Sequence, residues 1–547
     1  MANKHVNAIV VGAGAGGGIV AKELAVSGFS VILYERGDWP EYDRGINDEL
    51  ISQRCQALDS NFGPNWKKNP RVLAYPDGRR IVVNPSNGAY SHNAACVGSG
   101  TVSYSGMAWR FMPQDFKLKT IYGAVEGSTL DDWPITYDDL EPYYEKAEYE
   151  IGVSGDGKNP FAGPRKKPYP MPAFEYDREA RFLSEVCKRM GLHPFSIPML
   201  RNSVSYNGRA ACVRNRNCTG FACPVDAKNG THNTVIPVAM KTGNCTVKTN
   251  CMVAEIIIDE KGKARGVKYF DEKGKGHVQT SDLVVVSGSA TETARLLLNS
   301  KSKLHPNGAG NNSDWVGRNL QGHPYPGAHG IFDLEIKDLT GPGSTMALCD
   351  FNHHNPGIIG GGMLCTEPYQ MPYAFTSARP SREPRWGRAH KEFQRKNYYR
   401  KGCIRGPIQE MPVFESRVTI DPTVKDYWGI PVVALSGCRH PLDMEHYSFL
   451  AQKAEDILKE AGAIVTWKNL PGRSEMPSGG QHQAGTCRMG NDQKTSVVTP
   501  YGQVHEIDNL FVADGSVLVT NGGFNPALTI MAVAYRTGEY IAKNFVV

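Results

Sequence analysis

Residues 7–11 (NAIVV) form a short, mostly apolar run that ends at a glycine, the pattern of a strand buried on both faces of a parallel sheet. A helical pattern follows. Ile19, Val20, Leu24 and Ala25 are apolar, Lys22, Glu23 and Ser27 are polar, and Gly28 is placed to stop the helix. Residues 29–34 (FSVILY) are a second apolar run, closing on Glu35-Arg36-Gly37-Asp38. The strand-to-helix junction reads Gly12-Ala13-Gly14-Ala15-Gly16-Gly17, so the opening of the chain predicts a βαβ unit around a GxGxxG turn.

The other end repeats the pattern. Residues 509–516 (NLFVADGS) read as a strand running into an acidic turn, and residues 521–531 (NGGFNPALTIM) enter a helix with Pro526 near its first turn, running to Tyr540. Strand–turn–helix signals at both ends predict one nucleotide-binding domain built from both termini. Between them, residues 137–151 are helical with Gly152 as a stop, and residues 246–256 (TVKTNCMVAEI) are strand-like. Residues 408–418 and 428–435 carry strand-like apolar content suited to an antiparallel sheet, although Pro412 and Pro431 argue against central positions. Residues 341–405, rich in Gly, Pro, Arg and aromatics, read as loops forming a lid or partner surface, and residues 261–275 as a solvated hairpin. The expected fold class is α/β, α+β overall: a Rossmann-like domain from residues 1–45, 90–120, 205–325 and 475–547, and a substrate domain built on an antiparallel sheet, with lid and loop segments, from residues 46–89, 121–204 and 326–474.

With 547 residues the chain is long enough for two or more domains, and 40% apolar against 21% charged residues is an ordinary globular balance. No run of eighteen apolar residues exists, so no transmembrane helix is expected. The opening MANKHVNAIVVGAG lacks a long apolar segment with a small-residue cleavage site, so no signal peptide is read. The expected compartment is therefore the cytoplasm, or the periplasm by co-export with a partner subunit. A net charge of +6 is small for this length and the cations are interspersed with acids, which gives no nucleic-acid footprint. Thirteen cysteines, an odd number, argue against a disulfide scaffold.

The glycines carry the first chemistry. Gly12 makes the tight turn, Gly14 lets the backbone approach a pyrophosphate, and Gly17 lets helix and strand pack closely. The helix N-terminus offers unpaired N–H groups and a positive dipole end. Glu35, at the end of the second strand, is placed to accept hydrogen bonds from ribose hydroxyls. The motif alone does not separate NAD from FAD.

Six motifs in order resemble the glucose–methanol–choline (GMC) oxidoreductase family: GAGAGGG…LYERG; VGSGTVSYSGMAWR at 97–110; VVVSGSATETARLLLNS at 284–300; VGRNLQGHP at 316–324; HQAGTCRMG at 482–490; and NLFVADGSVLVTNGGFNPALTIMAVAYR at 509–536. Within the family the chain is most similar to bacterial sugar, polyol and glycoside dehydrogenase flavin subunits and to pyranose oxidases. The resemblance implies FAD, with Gly12, Gly14, Gly17 and Glu35 on its ADP half and Gly98, Ser99 and Gly100 beside the flavin ring. It puts Val253 at the adenine, Asp514 and Gly515 near the pyrophosphate and ribityl, and Asn525 and Pro526 near the ring. The loop Gly100–Gly106 holds no histidine and His92 lies upstream, so the flavin is expected to be non-covalent.

The family pairs a histidine with a second histidine or an asparagine at its active site, which here implies His482 and Asn525. The chemistry agrees. Oxidising an alcohol removes a hydroxyl proton, which an imidazole can take near neutral pH, and moves a hydride to the flavin N5. An asparagine amide can hold the same oxygen without competing for the proton. Taken singly, each residue reads as a turn or helix-terminus cap; as a pair inside two matching motifs they read as catalytic. By contrast Trp109 and Arg110 suit core packing as well as a site, His323 reads as structural, and His440 and His446 are undecided.

Cys212, Cys218 and Cys223 have the spacing C-x5-C-x4-C-P. Related dehydrogenases are similar here and carry an iron–sulfur cluster, whereas other members keep cysteines in this loop without metal, so a cluster and a plain thiol-rich loop stay open together. A cluster implies onward electron transfer to an external acceptor, with a small subunit and a cytochrome as candidate partners. The expected function is FAD-dependent oxidation of a secondary or anomeric hydroxyl of a sugar, polyol or glycoside, by proton abstraction at His482 and hydride transfer to the flavin N5, with electrons passed to an external acceptor. The alternatives are an oxidase releasing peroxide, a lyase with structural FAD, and a non-catalytic electron-transfer subunit.

Overall fold

Val6–Val11 forms the centre of a sheet because its side chains are apolar on both faces; Ala8, Ile9 and Val10 are fully buried. The computed structural model describes residues 4–43, 48–90, 93–215, 218–367, 371–472 and 477–546. His92, relevant to flavin attachment, lies outside the described residues. Val6–Val11 pairs in parallel with Val31–Tyr34 on one side and with the C-terminal half of Gly276–Val286 on the other. Cys245–Lys248 extends the sheet beyond Val31–Tyr34, and Leu510–Val512 adds in parallel to Gly276–Val286. The N-terminal half of Gly276–Val286 turns antiparallel with Ala264–Phe270, which pairs with Met252–Ile258, so seven strands share one sheet.

The helix Ala15–Val26 follows the glycine turn and packs against the C-terminal helix Ala527–Asn544. Gly538 sets their approach: a Cβ there would lie 2.9 Å from Cβ of Glu23. The head and tail of the chain therefore form one layer over the parallel sheet.

A second, antiparallel sheet of six strands runs in the order Val465–Asn469, Gly327–Ile331, Lys401–Arg405, Leu364–Thr366, Met346–Leu348, Phe195–Ser196. The helices Pro441–Glu460 and Arg178–Arg189 bury Tyr447, Leu450, Ile457, Leu458, Ala180 and Leu183 in the same core as this sheet. The stretch 341–405, expected as loops, supplies three of its strands and the helices Pro372–Ser377 and Gly387–Asn397. Its strands are only three to five residues long and pair with distant segments, which hid them in a Gly/Pro-rich sequence.

The expected strand at 408–418 is also corrected. Residues 408–416 are irregular, and the strand is Arg417–Lys425, paired with Pro431–Ser436 and, through it, with Arg71–Ala74 and Arg80–Val83. Pro431 stands at a strand's first residue, and Pro422 falls where the register shifts, the places a sheet tolerates proline. The helix Tyr137–Ala147 closes through one wider turn, Glu148–Gly152. No helix among the described residues is long and apolar enough to cross a membrane.

A two-stranded ribbon, Gln321–His323 against Gln481–Ala484, lies between the two large sheets in the chain path. Its register shifts: Gln321 opposes Ala484 while His323 opposes Gln481, so two residues, His482 and Gln483, face one. His482 takes up the extra residue in a left-handed conformation, φ +59°.

Candidate active site

The ribbon opens onto a cleft whose walls come from both ends of the chain. Gly12, Gly14, Tyr34, Glu35 and Val253 line it, and so do His482, Asn525 and Pro526. Ser99, Gly100, Asp514 and Gly515 also line it. Gly17 and Gly98 do not reach the wall. Gly17 packs beneath the turn, where a Cβ would lie 1.9 Å from the Gly12 carbonyl oxygen. Gly98 donates its N–H to the Ala13 carbonyl at 2.9 Å and lies against His232.

The residues fit a dinucleotide. Gly12 turns the chain at φ +99°, a conformation that favours glycine. A Cβ at Gly14 would meet only Ser99, at 3.3 Å, so the space over its backbone is open toward the cleft. The helices beginning at Ala15 and Ala527 carry no side-chain cap at their N-termini, and both positive ends border the cleft. Glu35 Oε2 accepts from Ala13 N at 3.0 Å and Oε1 from Gly37 N at 3.0 Å, which fixes the carboxyl at the cleft wall; burial pushes its pKa up while these N–H groups pull it down. Asp514 is committed internally: it accepts from Ser516, from Ser289 N and from the Thr293 hydroxyl. That ties the turn at 514–516 to the segment 287–293.

His482 Nδ1 stands 3.0 Å from His323 Nδ1, and His323 Nε2 stands 2.8 Å from the Gly522 carbonyl oxygen. A carbonyl only accepts, so His323 Nε2 carries a hydrogen. Burial pushes the His323 pKa down to about 4, against the Gly522 hydrogen bond, so the ring is neutral and its Nδ1 is a bare acceptor. His482 must then donate from Nδ1, which leaves its Nε2 lone pair directed at Asn525. Asn525 Nδ2 lies 3.4 Å from His482 Nε2 and donates to the Tyr325 hydroxyl at 2.8 Å, while Asn525 Oδ1 is buried with no partner. Asn521 Nδ2 holds the His482 carbonyl at 2.6 Å. Glu410 buttresses the ribbon from beneath, accepting from Gly322 N at 2.6 Å, Arg439, Tyr447 and Ser478.

His323, structural by its sequence alone, belongs to this site. Its only sequence signal was a motif, and its partner is 159 residues away. The undecided histidines fall elsewhere. His440 caps the helix Pro441–Glu460 and bonds the Glu126 carbonyl, and His446 accepts from Ile359 N. Arg110 is spent on Glu148, Glu141 and Tyr137, and Trp109 packs against Phe195 and Phe524.

All thirteen cysteines are free thiols. Cys212 Sγ accepts from Arg214 N at 3.3 Å, Cys223 Sγ from Ala227 N at 3.3 Å, and Cys218 Sγ from the Arg201 guanidinium at 2.7 Å. Burial opposes a thiolate at Cys218, yet Arg201 and Lys228 hold its pKa below the ordinary value. Among the described residues, no group of three or more His, Cys, Asp or Glu is arranged to hold a metal ion.

Family models described as GMC oxidoreductase match residues 128–325 and 412–534. The chain is 30% identical to 6'''-hydroxyparomomycin C oxidase of Streptomyces lividus, over 98% of this chain and 91% of that one. It is 30% identical to 2-methyl-1,2-propanediol dehydrogenase of Mycolicibacterium austroafricanum (98% and 95%), and 27% identical to the fructose dehydrogenase large subunit of Gluconobacter japonicus (100% and 99%). Among solved structures, formate oxidase of Aspergillus oryzae RIB40 shares the fold at a TM-score of 0.66 and 16% identity, covering 100% of this chain and 99% of that one.

Proposed function

The chain belongs to the GMC oxidoreductase family and is an FAD-dependent oxidoreductase of CH–OH groups; from that premise we propose that it oxidises a hydroxyl of a sugar, polyol or glycoside, with His482 as base and Asn525 as hydroxyl holder. The observation that carries the assignment is the directed pair of bonds from Gly522 through His323 to His482, which leaves a lone pair on His482 Nε2 3.4 Å from an amide donor. A substrate hydroxyl lying between them donates its hydrogen to His482 Nε2 and accepts one from Asn525 Nδ2. FAD, when bound, supplies the acceptor for the hydride. As His482 takes up the proton its ring becomes cationic, and the Nδ1–H···Nδ1 bond to neutral His323 becomes charge-assisted. Tyr325 fixes the amide that holds the hydroxyl oxygen. Gly12, Gly14, Glu35, Ser99, Gly100, Val253, Asp514, Gly515 and Pro526 would hold the non-covalent FAD along the cleft, with Gly17 and Gly98 supporting the turn and loop from behind.

Anaerobic addition of a panel of sugars, polyols and glycosides to the purified protein tests this reading. Bleaching of the flavin absorption by members of that panel, abolished in His482→Ala with flavin content retained, is the expected result. Bleaching unchanged in that variant would remove His482 as the base.

We propose further that electrons leave to an external acceptor, a small subunit and a cytochrome being the candidate partners; Cys212, Cys218 and Cys223 are either a plain thiol-rich loop, which fits their not being arranged as a metal-binding group, or the residues that would hold an iron–sulfur carrier. What favours a cluster is the three N–H···S contacts and the two buried cations facing these thiols. Iron and acid-labile sulfide in the full-length protein test it; their absence from protein purified without oxygen overturns it. A peroxide-releasing oxidase is the second reading, because relatives are named both as oxidases and as dehydrogenases. Comparing oxygen uptake with dye reduction separates the two.

A further inference from the structure

Residues 379–400 carry eight arginines and lysines against two glutamates, a net +6, and the whole chain carries 61 against 55, the same +6. The remainder of the protein therefore sums to zero net charge, and this segment departs from the interspersion of charge expected along the chain. Arg382, Arg388 and Arg400 are paired with Glu383, Glu392 and Asp333. Arg385, Lys391, Arg395 and Lys396 are exposed and have no carboxylate partner among the described residues. Trp386, at the N-cap of the helix Gly387–Asn397, is 85% exposed beside them.

The segment is held as a surface. Glu49 accepts from Tyr373 N at 2.7 Å and Ala374 N at 2.8 Å, which anchors the helix Pro372–Ser377. Buried Phe375 stacks on Phe393 at 6.3 Å and meets Tyr398 edge-on at 5.4 Å, fixing one helix to the other. The strand Lys401–Arg405 then enters the six-stranded sheet. Like charges one turn apart, such as Lys391 and Arg395, repel, so a merely solvated face gains nothing by gathering them. The anchoring residue Glu49 opens a short turn, Glu49–Ile51, that leads along the chain to Gln53 and Arg54 on the cleft wall.

We propose that residues 379–400 are the docking surface for an acidic protein. Six of the eight cations are arginines, whose planar forks bind carboxylates in pairs, and tryptophan and arginine are the anchor residues of protein interfaces. A lipid surface fits less well. An interfacial helix needs an apolar face free to enter the bilayer, and here Phe393 is turned inward onto Phe375.

The test uses the full-length protein with poly-L-glutamate as the acidic polypeptide and vesicles of phosphatidylcholine containing about 30% phosphatidylserine as the rival surface. The wild type is expected to bind poly-L-glutamate, about tenfold more weakly at 0.2 M than at 0.02 M salt. The variant R385E/K391E/R395E is expected to lose at least about tenfold of that binding. Flavin content and bleaching by substrate read the catalytic assignment separately and are expected to be unchanged in this variant. Wild-type affinity in the charge-reversed protein, or tighter binding to the vesicles than to poly-L-glutamate, overturns the proposal.

Discussion

His482 and His323 face each other through their Nδ1 atoms at 3.0 Å, and the Gly522 carbonyl on the far side of His323 decides which of them donates. His323 is thereby a positioning residue for the base. Replacing it with leucine removes the acceptor, frees His482 to populate the tautomer with Nε2 protonated, and leaves the cationic form without a partner. The expected loss in the rate of flavin bleaching is about 10- to 100-fold, the size of effect that the orienting partner of a metal-bound histidine has, with flavin content unchanged. Stopped-flow reduction under anaerobic conditions measures it. A rate equal to the wild type would confine His323 to packing. His482→Ala is expected to lose more, about 100- to 10,000-fold, because it removes the base itself.

Asn525 is expected to contribute through its Nδ2 donor. Asn525→Ala deletes a hydrogen bond to an oxygen that gains negative charge as its proton leaves, and such bonds are worth about 1.5–3 kcal/mol, or roughly 10- to 150-fold. The loss should fall on kcat more than on KM, since the bond strengthens toward the transition state. Asn525→Asp puts an acceptor where a donor is needed and is expected to be no better than alanine. Steady-state kinetics of both variants with a dye acceptor checks this; wild-type kcat in Asn525→Ala would sink the role.

How much of this was legible in the sequence follows from how local each signal is. The βαβ opening was readable because its strand, turn and helix lie within residues 6–34, and the turn at Gly12 declares its conformation by residue type. The six-stranded sheet was hidden because Met346–Leu348 and Leu364–Thr366 are too short to show alternation and are completed by Phe195–Ser196, about 150 residues earlier. The position of His482 was readable as a motif, but its aim was not: the ring is directed by a bulge in a ribbon whose other strand begins at Gln321. His323 carried no chemical signal of its own until that ribbon set it against His482. The basic face at 379–400 was plain in composition, yet whole-chain charge masked it.

Two glycines of the opening turn are expected to fail in different ways. A Cβ at Gly16 would lie 1.7 Å from the Ala513 carbonyl oxygen, which is backbone of the neighbouring strand's end and has little room to move. Gly16→Ala should therefore destabilise the protein by about 1–3 kcal/mol or more, seen as a lowered midpoint of thermal unfolding with or without flavin. A Cβ at Gly14 meets only Ser99 at 3.3 Å. Gly14→Ala should leave the flavin-free protein's midpoint near the wild type and lower flavin content, because the added methyl occupies the approach to the cofactor. A Gly14→Ala protein that keeps full flavin would move the pyrophosphate away from this residue.

The buried histidines make stability depend on pH, and His446 offers the cleanest reading because it lies outside the cleft. Burial pushes its pKa down to about 4 from the ordinary 6.5, against the opposing pull of the Gln409 backbone. Below pH 6.5 the unfolded chain therefore binds a proton that the folded chain refuses, and stability falls with pH until about 4, where the folded ring also protonates. Above pH 7 the two states hold the same protons and the term vanishes. Glu179, pushed up to about 7 by burial, acts in the opposite direction over the same range, so the whole-protein profile mixes signs and a difference between variants is the proper readout. His446→Gln keeps a neutral polar side chain without the titration. Its stability relative to the wild type is expected to rise by about 2 kcal/mol between pH 7.5 and pH 5. Denaturant midpoints of both proteins at the two pH values measure the change. A difference independent of pH would mean that the His446 ring titrates alike in the folded and unfolded chain.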